Sequence, residues 1–399
     1  ENHPNTPQTW RVLLDDEFEA KLKIIKLDDE TKKTVLIPGT EFKIYDLDHK
    51  KYVEQVTTYP ITVTHKSYFT DADGYLILPQ SLPIGHYRVE EVTAPEGYTI
   101  NQNYVEVTVD SNTAYYQDDV SKDIIIEAVY ENHPVKGELT VVKKGEVLDG
   151  YKKDFTYKVQ NLAGAVFAVY AAEDIYTADF QKDSNGNRIL EYAKDELVAE
   201  LTTGKDGTAT LKNLPLGTYK VVEKTAPEGF VQNSEAQNVQ FVYAGQDTPV
   251  VSESVEFSNE RQKVEISAVK KDAENEKLLA GAEFALYAKE DIKAGDAVIV
   301  KADTLLTSAV TDENGKAVFG QDLPFGTYYV KETKAPAGFV SNGETIEVAA
   351  SYQGQEVEVV RLEEVFKNQP TITEFTKSDL TTSVELNGAT LTVLDQDNN

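Results

Sequence analysis

The chain has 399 residues, a formal net charge of −29 at pH 7, and neither cysteine nor methionine. That charge would repel nucleic-acid backbones and anionic membranes, and the missing cysteine excludes disulfides, thiolate metal sites and thiol nucleophiles. Without methionine, signal peptide, membrane span or sorting tail, the sequence is expected to be a segment excised from a longer extracellular protein.

In chain order, residues 1–13 are expected to be the terminal strand of a preceding domain and its linker, because Glu1-Asn-His-Pro4 duplicates Glu131-Asn-His-Pro134. Apolar and polar residues then alternate in short runs nearly throughout, beginning with Leu22-Lys-Ile-Ile-Lys26, which predicts strands. Ile37-Pro-Gly-Thr-Glu-Phe-Lys-Ile-Tyr45 follows, then an insertion between Tyr45 and Phe69. Asp71-Ala-Asp-Gly74, like Asp312-Glu-Asn-Gly315 later, resembles a calcium-loop fragment but lacks the remaining ligand positions and reads as a hairpin turn. Next come Leu82-Pro-Ile-Gly-His-Tyr-Arg-Val-Glu-Glu-Val-Thr-Ala-Pro-Glu-Gly-Tyr98, the strand Tyr104-Val-Glu-Val-Thr-Val109, and an alternating run that ends at Asn132.

The same order of features returns twice. Leu162-Ala-Gly-Ala-Val-Phe-Ala-Val-Tyr170 precedes a second copy of the long phrase at residues 214–230, and a run ending at Asn259. Leu279-Ala-Gly-Ala-Glu-Phe-Ala-Leu-Tyr287 precedes a third at residues 323–339, and a run ending at Asn368. Val264-Glu-Ile-Ser-Ala268 and Glu356-Val-Glu-Val-Val360 are further expected strands, while residues 171–180 and 288–296 could each form a short helix or an ordered loop. Leu386-Asn-Gly-Ala-Thr-Leu-Thr-Val-Leu394, with Lys377-Ser-Asp379 before it, begins a fourth copy. The expected domains are therefore residues 14–134, 135–261 and 262–370, with 371–399 the start of a truncated fourth. Each is an all-β sandwich, and linkers as short as His133-Pro-Val-Lys-Gly137 suggest a rod with restricted bending.

Strand parity singles out three residues per domain. Tyr87, Val89 and Glu91 share one strand face, as do Tyr219, Val221, Glu223 and Tyr328, Val330, Glu332. That face should be the core, where a lone carboxylate is costly. Each opening alternation runs into an inward lysine, Lys26, Lys143 or Lys270, and each closing one into an inward asparagine, Asn132, Asn259 or Asn368. Lys23, Lys144 and Lys271 fall on the opposite parity and should be solvated. If opening and closing strands are neighbours, the lysine amine can attack the asparagine side-chain carbonyl and expel ammonia, leaving an amide between side chains. A dry core favours a neutral amine, and Glu91, Glu223 and Glu332 would act as acids that hydrogen-bond the asparagine carbonyl and shuttle protons. The competing readings are an unreactive buried salt bridge for the acids and ordinary strand-end residues for the asparagines. The histidines have no metal-ligand spacing, and neither a Ser-His-Asp arrangement nor a phosphate-binding loop occurs, so no metal or cofactor is expected.

The long phrase, the lysine before x-Asp in Lys26-Leu-Asp28 and Lys270-Lys-Asp272, and the Phe-x-Asn ends at Asn259 and Asn368 resemble the B-type repeats of the collagen-adhesin and SpaA-like pilin family of Gram-positive surface proteins. The first unit departs with Tyr130-Glu-Asn132, and the second carries Gly145 where the others have Asp. The resemblance implies tandem transthyretin-like or inverse immunoglobulin (CnaB-type) sandwiches. It also implies autocatalytic isopeptide bonds joining Lys26 to Asn132, Lys143 to Asn259 and Lys270 to Asn368. The expected role is a stalk segment of a cell wall-anchored surface protein, with neighbouring domains of the same array as partners and no activity on an external substrate. Two other roles are open. The first unit's insertion could recognise a host extracellular-matrix protein or glycan. A sortase-polymerised pilin shaft would need an accessible lysine, for which Tyr151-Lys-Lys-Asp154 is a candidate, whereas Tyr59-Pro60 is not followed by lysine. Lys377 is followed by no copy of the long phrase in this sequence, and so by no counterpart of Glu91, Glu223 and Glu332, and is expected to stay unlinked.

Overall fold

The computed structural model describes residues 17–394, so the strand and linker expected at residues 1–13 lie outside the described residues. Every named element among the described residues is a strand. The opening strand Glu19–Asp28 is typical: its even-numbered positions from Ala20 to Asp28 are all buried, as a two-residue period against a core requires.

The strands form three two-sheet sandwiches of one plan. In the first, Glu19–Asp28 pairs in parallel with the closing strand Ile124–Asn132 and antiparallel with Tyr75–Ile77 and Leu82–Pro83. The opposing sheet places Glu41–Asp46 beside Gly85–Thr93, which pairs on its other side with Val105–Val109. In the second, Lys136–Tyr151 pairs in parallel with Val250–Asn259, and in the third Lys263–Asp272 does so with Val359–Pro370. Their opposing sheets centre on Val166–Ala171 beside Gly217–Thr225, and on Glu283–Ala288 beside Gly326–Lys334. Each sandwich has its own apolar core drawn from both sheets.

The chain divides into two compact units. One takes the described residues up to Gly145, with Gln160–Pro227 and Gln232–Asn259, and so holds the first two sandwiches. These two share a small cluster of Val35, Ala94, Tyr98 and Ala178. Gln246 joins them by accepting from Ile100 N–H through its backbone oxygen (3.0 Å) and from Ala94 N–H through Oε1 (2.9 Å). The other unit holds Glu146–Val159, Glu228–Val231 and the described residues from Glu260 onward. There a hairpin at residues 146–159 lays Tyr151 and Phe155 on the third core. Arg261 covers the Tyr157 ring at 3.6 Å and pairs with Asp322 at 2.7 Å.

Three local expectations are corrected. Of the short helix or ordered loop expected at residues 171–180 and 288–296, the helix does not form, and each is an ordered loop that carries a short strand: Ile175–Tyr176 pairs with Leu190–Tyr192, and Ile292–Ala294 with Ala297–Val300. Ile175 and Ile292 are buried in their cores, which pins both segments in extended form. The strand expected from Glu356 begins at Val359. Residues 371–394 form no named strand, only a bridge between Ser378 and Glu385, because alternation without a partner strand cannot satisfy a ladder. The first-unit insertion folds as a hairpin, Gln55–Thr57 with Val63–His65, and Tyr59 and Ile61 are exposed between its arms.

Candidate functional site

The inward lysines Lys26, Lys143 and Lys270 are each 0% exposed. In every sandwich the lysine is paired in register with the residue two before the closing asparagine: Lys26 with Tyr130, Lys143 with Phe257 and Lys270 with Phe366. Lysine and asparagine therefore lie diagonally on one face of adjacent parallel strands. Lys26 Nζ donates to Asn132 Oδ1, Lys143 Nζ to Asn259 Oδ1, and Lys270 Nζ to Asn368 Oδ1 at 2.6 Å. The opposing sheet brings the acids: Glu91, Glu223 and Glu332 lie 3.1, 3.2 and 2.7 Å from their lysines. Each asparagine Nδ2 donates to both oxygens of its acid, as from Asn259 to Glu223 at 3.0 and 2.8 Å. All nine expected residues thus meet in three closed triangles.

One detail differs from expectation. An ammonium only donates, so the asparagine oxygen faces the lysine. The acid consequently faces the amide nitrogen, the group that would leave, and not the carbonyl.

Each acid is aimed by a bulge. Glu41 pairs with Thr93 but Phe42 pairs with Glu91, so one residue is extra beside the acid. The same shift separates Val166 from Phe167 opposite Glu223, and Glu283 from Phe284 opposite Glu332. An inserted residue bends the strand and redirects its side chain. The phenylalanine opposite each acid also meets an aromatic of the closing strand: Phe42 with Tyr130, Phe167 with Phe257 and Phe284 with Phe366, at ring separations of 5.2, 4.9 and 4.8 Å. These pairs wall the triads from water. Burial is the main cause that pulls Lys26 down to about 8 and lowers Lys143 and Lys270, against the opposing attraction of their acids.

A glycine turn fixes each lysine backbone. Lys26 N–H donates to Gly74 O at 2.9 Å, Lys143 N–H to Gly207 O at 2.8 Å and Lys270 N–H to Gly315 O at 2.8 Å. At Gly315, φ is +66°, and an added Cβ would lie 2.9 Å from Lys270 O. The sequence marked Gly74 and Gly315 only as turns. Their separations from the lysine differ between units, which hid the shared role.

A turn after the lysine recurs as well. Asp28 N–H donates to Lys33 O and Lys32 N–H to Asp28 O, both at 2.9 Å, and Asp272 makes the matching bonds with Lys277 and Glu276 at 2.8 and 3.0 Å. The segment after Lys377 repeats it: Asp379 N–H donates to Val384 O at 2.8 Å and Ser383 N–H to Asp379 O at 2.9 Å. In the second sandwich Gly145 takes the aspartate's place, and the strand runs on to Tyr151.

The lysines of opposite parity, Lys23, Lys144 and Lys271, are partly exposed and pair with Glu127, Glu256 and Glu276. Lys152 and Lys153 are exposed at the hairpin tip. Among the described residues no acid, histidine or cysteine cluster could hold a metal ion, and no helix is long and apolar enough to cross a membrane.

The SpaA family, described as a prealbumin-like fold domain, matches residues 20–123, 148–254 and 264–363. Among solved structures, the chain is similar to the Bacillus anthracis TIE protein at 24% identity and a TM-score of 0.53, over 88% of this chain and 51% of that one. It therefore spans about half the length of that protein. A single-substitution form of BcpA, the major pilin subunit of Bacillus cereus, aligns at 18% identity and a TM-score of 0.33, over 88% and 99% of the two chains. Shaft pilin spaA from Lactobacillus rhamnosus GG aligns at 17% identity and a TM-score of 0.23, over 60% and 100%. None of the curated proteins compared matches the chain.

Proposed function

The chain belongs to the SpaA family of prealbumin-like fold domains, and from that premise we propose that it is a stalk segment of a pilin-like Gram-positive surface protein, each sandwich stapled by a Lys–Asn amide. The observation that carries this reading is the triangle of buried Lys, Asn and Glu, repeated three times with one register. The neutral amine attacks the asparagine Cγ. The acid takes the proton released from Nζ and delivers it to the departing nitrogen, so a C–N bond forms, another breaks and ammonia leaves. Fixed contact supplies the effective concentration that free side chains lack. Each site turns over once. Residues 14–134, 135–261 and 262–370 are the stapled domains in this reading. Residues 371–399 open a fourth, a placement supported by the turn after Lys377.

In the chain-entropy treatment of crosslinks, closing a loop of about 100 residues stabilises a fold by roughly 4 to 5 kcal/mol. The deciding experiment is intact-mass measurement. Three losses of about 17 Da each are expected from the ammonia released, and Glu223→Ala should remove one. A mass equal to the sequence sum rejects the bonds. A second reading attaches to the insertion hairpin, whose exposed Tyr59 and Ile61 give it a surface for a host protein or glycan. A solid-phase screen of the chain, with and without Tyr59→Ser and Ile61→Ser, tests it.

A further inference from the structure

Ten positions after each acid stands an asparagine: Asn101, Asn233 and Asn342. All three make the same two side-chain bonds. Nδ2 donates to the carbonyl oxygen of the residue just before the closing asparagine, at 2.8, 3.3 and 3.2 Å. Oδ1 accepts from the N–H two residues on, at 3.0 Å each time. The same short loop supplies a donor to the acid's Oε2. That donor is the backbone N–H of Asn101 (2.9 Å) and of Asn233 (2.8 Å), and in the third sandwich the hydroxyl of Ser341 (2.8 Å).

We propose that Asn101, Asn233 and Asn342 are the positioning residues of the three crosslinking sites, each clipping the loop that steadies the acid to the strand that carries the reacting amide. They touch neither the amine nor the amide that react. Their effect is geometric. A carboxylate that must pass a proton from Nζ to the leaving nitrogen works only if its rotation is fixed, and the donor on Oε2 fixes it. The side-chain clip then sets that donor's distance from the asparagine strand. The inference rests on the crosslinking reading.

The test uses the whole chain, with the first and third sandwiches as internal controls. In Asn233→Ala, peptide mapping of freshly translated protein over time should find the Lys143–Asn259 linkage forming about tenfold to a hundredfold more slowly, while the other two form at the wild-type rate. Adding Gln232→Ser, which supplies a hydroxyl at the position Ser341 occupies in the third sandwich but removes the Gln232 Nε2 bonds to Glu223 O and Lys224 O, should restore most of the rate relative to Gln232→Ser alone. Loss of a merely structural loop anchor would not be repaired by a hydroxyl aimed at the acid. An unchanged rate in Asn233→Ala, or slowing that Gln232→Ser leaves untouched, overturns the inference while the crosslinking reading stands. Wild-type protein without any 17 Da loss overturns both.

Discussion

At Lys26, desolvation outweighs the attraction of Glu91, and the amine falls from an ordinary 10.5 to about 8. At pH 7 about a tenth of such an amine is neutral, against about 0.03% of an unshifted one. The first-sandwich bond should therefore form faster as pH rises to about 8 and then level off, which the mass of freshly translated chain at pH 6 to 9 will follow. The linkage has the same sign. The unfolded chain binds more protons than the folded one between about 8 and 10.5, so an unreactive Asn132→Ala chain should gain stability as pH rises through that window. Phe257→Ala should cost about 3 to 5 kcal/mol by opening the second core, and by admitting water it should slow the Lys143 bond; denaturant melts and mass report the two effects. The residues of the buried triangles were legible because a period of two places Lys, Glu and Asn on inward positions. The phenylalanines facing the acids stood in a recognised phrase, but their place depends on pairing register, which one strand's pattern does not contain.

Among the elements, the turn after the lysine shows how one residue redirects a strand. Asp28 accepts the N–H groups of Glu30 and Thr31, both at 2.8 Å, and also the hydroxyl of buried Tyr98 at 2.7 Å. Asp272 accepts the matching Glu274 N–H at 2.8 Å, and its other oxygen takes Asn275 Nδ2 where Asp28 takes the tyrosine. Asp272→Ala should cost about 1 kcal/mol, as loss of a capping side chain does. Asp28→Ala should cost about 2 to 3 kcal/mol, because a buried hydroxyl is also orphaned. Denaturant melts of unlinked chains compare the two. Gly315→Ala forces a side chain into left-handed backbone against Lys270 O, and should cost about 1 to 3 kcal/mol and leave part of the third sandwich unlinked by mass. Strand elements were readable wherever one face met a core. Residues 171–180 and 288–296 were not, since their buried apolar residues, Ala171 with Ile175 and Ala288 with Ile292, stand four apart, a spacing that suits a helical turn as well as an extended segment.

For the whole molecule, the repeated phrases indicated three sandwiches, and the described residues form three. What they did not carry was the grouping into two compact units or the packing of the hairpin at residues 146–159 on the third core, because both depend on contacts between distant segments. Within the first unit, Gln246→Ala should orphan the Ala94 N–H at a cost of about 1 to 3 kcal/mol. Hydrogen exchange should quicken at Ala94 and stay slow at Ile100, whose acceptor is backbone. The parallel pairing of opening and closing strands has one more consequence. Lys26 and Asn132 are 106 positions apart, and under the proposed stapling, tension entering along Glu19–Asp28 would cross one amide and depart at Asn132. Everything between them would then be a slack ring outside the load path. The exposed hairpin at residues 55–65 would lie inside that ring, so on this proposal its sequence could change, or engage a ligand, without weakening the line that bears the force.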